Sequence, residues 1–362
     1  MEGKNAKITI QQAAWKRLKK NKGAVFGMFV IALSVIVAVG AYLIAPDPSP
    51  YTNRMTVEIG GAQPGYKQLF LLLKKPQPVA QRNFFYRLLN GQEDEYTWIP
   101  VTGSHTKGDS LIVDKYIDEG LSERQAYALD KIGDHRFVTR GYWLGSDKYG
   151  RDILSRLLLG TRISLSVGLI AVAISVTIGI LLGSLAGYFR GWIDDSIMWL
   201  INVIWSIPTL LLVFAITLVL GKGFWQVFIA VGLTMWVSVA RIVRGQVLGV
   251  RELEYAEAAR ALGYSHGRIL FRHILPNILG PVLVIAASNF ASAIVIEAGL
   301  SFLGVGVQPP QPSWGLMIKE NYNFIITHNP MLALAPGFAI MLLVLAFNLL
   351  GNGLRDALNV RA

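Results

Sequence analysis

From Ala24 to Ile44 the chain runs for 21 residues without a charged side chain. Coiled as a helix, that stretch is about 31 Å long, against a bilayer hydrocarbon core of about 30 Å. A helix is also the only way one segment can cross lipid by itself, because it satisfies each internal N–H and C=O without help from water or a neighbour. The pattern recurs at Ser164–Tyr188, Ile197–Leu220, Phe224–Ala240, Ile278–Leu300 and Leu332–Leu350. These runs predict an all-α integral membrane protein with six transmembrane helices, the fourth run being the shortest at 17 residues.

Composition agrees with that class and narrows the partners. Hydrophobic residues make up 53% of the chain and charged residues only 16%, with a mean hydropathy of +0.45, too apolar for a soluble domain of this size. The net charge of +11 is local: +6 falls in the first 23 residues and +3 in Arg241–Asn277. Basic stretches beside apolar helices serve cytoplasmic retention and contact with anionic lipid, so nucleic acid is not a predicted partner. The chain has no cysteine, which excludes disulfides and thiolate metal sites. His266 and His273, seven apart, lack a third ligand and are read as surface residues.

Charge also orients the spans. Seven lysines and arginines against one glutamate precede Ala24, which holds the amino terminus in the cytoplasm. Alternation then makes 45–163 extracytoplasmic, places 189–196 and 241–277 in the cytoplasm, and leaves the tail 351–362, with Arg355 and Arg361, there too. The short outer turn carries only Lys222. The run at 24–44 is too long for a cleaved signal and ends at Pro46 and Pro48, not at small residues. Before it, in the basic tail 1–23, Ile8–Lys20 reads equally as an interfacial helix anchored by Trp15 or as a bare topology signal. The outer insertion 45–163 mixes prolines, the aromatic cluster Phe84–Tyr86 and a helix expected over Leu121–Lys131. It reads as a shield for the outer face or as a dock or gate for whatever delivers the solute.

Within the core 164–350 lies the 37-residue hydrophilic loop Arg241–Asn277. Glu254 and Glu257 share a helix face with the small Ala258. Gly263 suits the left-handed conformation that stops a helix, and Ser265 is placed to cap a second one. Pro276 is expected to end that second helix and turn the chain toward the next span. Arg268 and Arg272 share its face. In the spans, Gly179, Gly183 and Gly187 form a stripe for close helix packing. Glu297, Asn289 and Asn202 are the candidate translocation or gating residues, since a charge at mid-bilayer costs roughly 2.5–3.5 kcal/mol and Glu297 should face protein or water.

Glu257-Ala258-Ala259, Gly263 and Leu275-Pro276 are spaced as in the EAA loop of binding-protein-dependent ABC importer permeases, with His273 where isoleucine is usual. The string Ala258–Gly263 through Arg272–Asn277 resembles the dipeptide/oligopeptide/nickel subfamily. Three more segments resemble its C-type subunits: Trp143–Asp147 with Gly150-Arg151-Asp152, Glu297–Pro310 with Pro312–Gly315, and Asn348–Asp356. The resemblance implies a type I importer permease fold with an extracytoplasmic domain inserted between helices 1 and 2. It implies a bacterial inner membrane, two ATPase subunits or domains, a second permease subunit, an extracytoplasmic solute-binding protein and a peptide-like solute, with nickel or another small solute as the alternative cargo. The loop becomes the coupling helix, with Glu254, Glu257, Ala258, Ala259, Gly263 and Arg268 as its contact set.

The sequence holds no Gly-x-x-x-x-Gly-Lys-Ser/Thr motif, so the chain is predicted to be no enzyme and to bind no cofactor. ATP and Mg would sit on partner subunits. Two other classes stay open from the residues alone: a self-contained channel or secondary transporter, and a membrane-anchored receptor or enzyme.

Overall fold

The computed structural model describes residues 10–221, 223–326 and 329–358. The tail before Ile10, Lys222 and Arg361 lie outside the described residues. In chain order the elements are α1 (Ile10–Lys20), α2 (Lys22–Ile44), β1 (Tyr66–Lys74), α3 (Phe84–Asn90), β2 (Tyr96–Lys107), β3 (Ser110–Asp118), β4 (Leu121–Ala128) and β5 (Ile132–Tyr142). Then follow α4 (Ile153–Phe189), α5 (Gly191–Trp205), α6 (Thr209–Leu220), α7 (Phe224–Arg251), α8 (Glu254–Ala261), α9 (His266–Ile269), α10 (Leu275–Leu303), α11 (Trp314–Asn321) and α12 (Met331–Leu358). They fall into two compact units: Met1–Ser34 with Ser164–Val307 and Ile340–Ala362, and Val35–Ile163 with Gln308–Ala339.

Among the described residues, five helical stretches are long and apolar enough to cross a membrane: α2, α4, the α7 stretch Phe224–Val250, the run His266–Leu303 and α12. The expected span Ile197–Leu220 is not one straight helix but the pair α5 and α6, bent by 92°. The break falls at Ser206–Pro208, where Pro208 has no N–H to donate and Ile207 is pushed out of helical geometry by the ring that follows it. Other boundaries move outward. At 37 residues α4 begins eleven positions before Ser164, α7 runs to Arg251, and α12 continues into the expected tail as far as Leu358.

In the first unit α7 is the central rod, with Val227, Phe228, Val231, Val239, Ala240 and Val243 fully buried. The glycine stripe of α4 packs on it. A Cβ added at Gly183 would lie 2.4 Å from the Ala240 carbonyl oxygen, and one at Gly187 would lie 2.8 Å from that of Arg244. Only glycine permits backbones to approach this closely.

The second unit corrects the all-α expectation. It holds a five-stranded antiparallel sheet in the order β4-β3-β2-β1-β5. Leu121–Ala128 is strand β4, not a helix. Its Leu, Glu, Arg, Gln and Ala are good helix formers, but pairing along β3, from Ser110↔Ala128 to Asp118↔Leu121, outweighs that preference. One face of the sheet is sealed by Leu71, Val101, Leu111, Val113 and Ile132, and the other packs Phe70 with Ile59 and Tyr142.

Beneath the sheet the Trp143–Arg156 segment folds around buried charge. Arg151 donates to Asp147 at 2.6 Å and to Glu320 of α11 at 2.7 Å, while Arg156 reaches Glu320 at 3.5 Å. Asp147, Arg151 and Arg156 are at most 2% exposed. Nearby, Asp152 accepts the Ser155 N–H at 2.7 Å, and burial still pushes its carboxyl above the usual range. Desolvated charges hold together only while all partners are present. Arg151→Met, which removes the guanidinium that bridges Asp147 and Glu320, is expected to cost about 3–5 kcal/mol and lower the thermal midpoint of the purified protein, as followed by tryptophan fluorescence.

Candidate functional site

The loop joining α7 to α10 is shorter and more helical than its hydrophilic stretch suggests. Glu252 and Leu253 separate α7 from α8, and Gly263 stands at φ +77° after it. A Cβ at Gly263 would meet nothing within 4 Å, so the constraint there is conformation alone. Ser265 accepts the Arg268 N–H and caps α9. The chain does not turn at Pro276. Leu270–Ile274 forms a π-helical turn that carries α9 into α10, and Pro276, which has no N–H to donate, follows directly on that turn, where the hydrogen-bond ladder is already irregular.

The inner side of the loop is fastened to the spans. Ala259, Ile269, Leu270 and Ile274 pack with Tyr188, Val243 and Val247. Arg251 donates to the Tyr188 carbonyl, Arg260 donates to the Arg251 carbonyl at 2.6 Å, and Arg190 pairs with Glu252. Burial, with the charges of Arg190 and Arg260, pulls the Arg251 guanidinium below its ordinary value. The Tyr188 hydroxyl lies 3.0 Å from His266 Nδ1, and Asn277 donates to the Tyr255 hydroxyl at 3.0 Å.

Of the six residues singled out for contact, Glu254, Glu257, Ala258, Gly263 and Arg268 are exposed and Ala259 is buried. Both glutamates lie in the first turn of α8, where carboxylates also favour the helix dipole. The outer side has an apolar part that charge-based reading passed over: Leu262 is 72% exposed, beside the exposed Leu253 and Tyr255, while Phe271 lines a groove along Leu181, Leu185 and Tyr188 of α4. The signal was present, since Leu262 lies inside the Ala258–Gly263 string.

A second feature of the same unit is a cleft of about 510 Å³ lined by Trp205, Thr209, Thr234, Ser238, Asn289, Ser292 and Asn348, among others, with no charged side chain among the described residues that line it. Asn289 reaches the Ser238 hydroxyl and the Met235 carbonyl, each at 3.4 Å. Asn202 lies outside the lining and accepts from Arg241 at 3.0 Å, while the Arg241 guanidinium stacks 3.5 Å from the Trp205 ring. Glu297 is fully buried and accepts from the Ser301 hydroxyl at 2.6 Å, which in turn accepts the Val307 N–H. It ties the end of α10 to the following turn and does not line the cleft.

Long apolar helices carrying a helical loop and an uncharged polar cleft define a multi-pass membrane transport component. The chain belongs to the binding-protein-dependent transport system inner membrane component family, whose pattern matches residues 179–362. Residues 10–63 match the N-terminal transmembrane domain of oligopeptide transport permease C. Among its relatives is the glutathione transport system permease protein GsiD of Pectobacterium atrosepticum, 45% identical over 218 residues, which are 60% of this chain and 72% of that one. Another is the dipeptide transport system permease protein DppC of Alkalihalophilus pseudofirmus, 44% identical over 60% of this chain and 71% of its own. The inward-facing MetNI methionine ABC transporter is similar at a TM-score of 0.48 and 18% identity, covering 57% of this chain and 97% of its own, a likeness too weak to bear on function.

The burial contrast gives a direct check. Ala259→Leu overfills the packed side of α8 and is expected to cost about 1–3 kcal/mol in thermal stability, whereas Ala258→Leu, one position away and exposed, is expected to leave the melting midpoint nearly unchanged.

Proposed function

We propose that this chain is one of two membrane subunits of an ATP-driven importer for peptide-sized solutes, with dipeptides or small peptides such as glutathione as the class. It works in a bacterial inner membrane, with both termini in the cytoplasm and a binding protein delivering solute to the opposite face. Six crossings result when α5 and α6 count as one broken span, and the sheet between α2 and α4 is then extracytoplasmic. Hydrolysis belongs to two separate ATPases, which carry the ATP and Mg.

One observation carries the coupling part of this reading: the α8–α9 loop has one side packed into the spans and the other bearing Glu254, Glu257, Leu262 and Arg268 to solvent. A partner that grips the outer side differently in its two nucleotide states pulls on the spans through the inner side. A contact of equal strength in both states would move nothing. The polar cleft beside Asn289 offers hydrogen-bond partners to the peptide groups of such a solute. Asn202 and Arg241 stand at its edge, while the role of Glu297 in this reading is to brace α10.

Uptake of a labelled dipeptide into vesicles holding the full set of subunits tests the assignment. Glu257→Lys and Leu262→Asp are each expected to lower ATP-driven uptake and ATPase co-purification by about tenfold or more, the size of a central interface contact. Unchanged uptake in both variants would show that the loop does not couple, and gradient-driven flux through the chain alone would show a self-contained transporter.

A further inference from the structure

Helix α3 leaves its apolar side uncovered. At 100° per residue, Phe84, Leu88, Phe85 and Leu89 fill one arc, with Tyr86 at its edge, and Arg87 and Asn90 fill the opposite one. Phe84 is 58%, Phe85 72% and Leu89 65% exposed. A soluble surface rarely gathers so many large apolar side chains on two turns.

The position of the helix explains what covers them. A single guanidinium, that of Arg162, donates to the Leu88 and Leu89 carbonyls at 2.9 and 2.8 Å and to the Ala38 and Val39 carbonyls at 2.9 and 3.1 Å. The first two are last-turn carbonyls of α3 with no partner of their own in that helix, and the other two belong to α2. Gly91 at φ +79° closes α3 against Tyr42 of α2, where an added Cβ would lie 2.9 Å from the ring, and Gln92 donates to the Pro48 carbonyl at 2.9 Å. Ala38 and Val39 precede the end of α2 at Ile44 by five or six residues, or about 8–9 Å. The carboxyl end of α3 is therefore held at a level where α2 is still an apolar span. There α2 itself exposes Ile36, Val39 and Leu43.

From this we infer that α3 lies along the membrane surface and sinks Phe84, Phe85 and Leu89 into the lipid leaflet at the carboxyl end of α2. The occupant of the face is lipid because the arc continues the lipid-facing belt of α2 and contains no charge. The residues around it have the chemistry of a headgroup boundary: Arg87 is on the opposite arc, and Arg82 stacks on Tyr86 at 5.0 Å. The inference rests only on the chain being membrane-embedded and is independent of the solute.

The absence of cysteine makes the test simple, since single cysteines at Phe85, Leu89 and Arg87 can each carry a nitroxide in the otherwise unchanged chain. The full chain, purified with its transporter partners and placed in phospholipid nanodiscs, is measured by power saturation with oxygen and with a water-soluble nickel chelate. Labels at Phe85 and Leu89 are expected to be relaxed by oxygen and spared by nickel, and the label at Arg87 to show the reverse. Nickel access at Phe85 and Leu89 equal to that at Arg87 would overturn the proposal in favour of an aqueous face. Shielding of both labels from both reagents would overturn it in favour of a protein partner. Because Phe85 and Leu89 are exposed, the labels disturb no packing, and unchanged melting of the labelled chains confirms that the fold is intact.

Discussion

A backbone amide in hydrocarbon has nowhere to send its hydrogen bond except along its own helix, and that constraint organises this chain. It sets the length of α2, α4, α7 and α12. It also makes the places where helices stop or break the sites that need chemical attention. The Ser206–Pro208 break leaves carbonyls to be satisfied, and the Ser206 hydroxyl donates to the Val203 carbonyl at 2.7 Å. At the ends of other helices, arginine does this work: Arg162 at α3, Arg251 at α4 and Arg260 at α7 each donate to a late-turn carbonyl. The guanidinium suits the task because it carries several donors in a fixed plane and does not lose its charge.

Much of the spanning core was legible because its information is local. Hydrophobic run lengths located α2, α4, α7, α10 and α12, with ends missed by up to eleven residues, about three turns, and the erring ends all erred short, since charged residues such as Arg156 and Arg244 continue helices beyond the apolar stretch. Gly263 and Ser265 were readable for the same reason: a left-handed stop and a side-chain cap need only their own residue and its near neighbours. The spacing of Gly179, Gly183 and Gly187 likewise pointed to packing, and their partner α7 became visible only in three dimensions.

What was not legible depends on distant residues. Nothing near Leu121 announces a strand, because its strand character comes from pairing with β3. Pro276 reads as a stop in isolation and sits comfortably in a first turn once the π-helical turn precedes it. In the candidate site, the glutamates of α8 stood out by charge, but the burial of Ala259 beside the exposed Ala258, and the outward placing of Leu262, follow from how the loop rests on Tyr188 and Val247. Glu320 is more than 160 positions from its partners Arg151 and Arg156, a separation at which one sequence carries no pairing signal.

The π-helical turn at Leu270–Ile274 has a mechanical meaning. It makes His266–Leu303 one continuous helical rod of 38 residues, roughly 57 Å along its axis, in which Pro281 leaves one carbonyl without its helix donor. Continuity fixes the rotational phase of α10 relative to α9, while the π turn and the two prolines Pro276 and Pro281 are the points where the axis can bend. Ile278 and Val282 of α10 pack on Val239, Val243 and Val247 of α7, and the extra residue of the π turn sets which face of α10 is presented there. Shortening Leu270–Ile274 by one residue would keep the rod and rotate everything beyond it by about 100° about its axis.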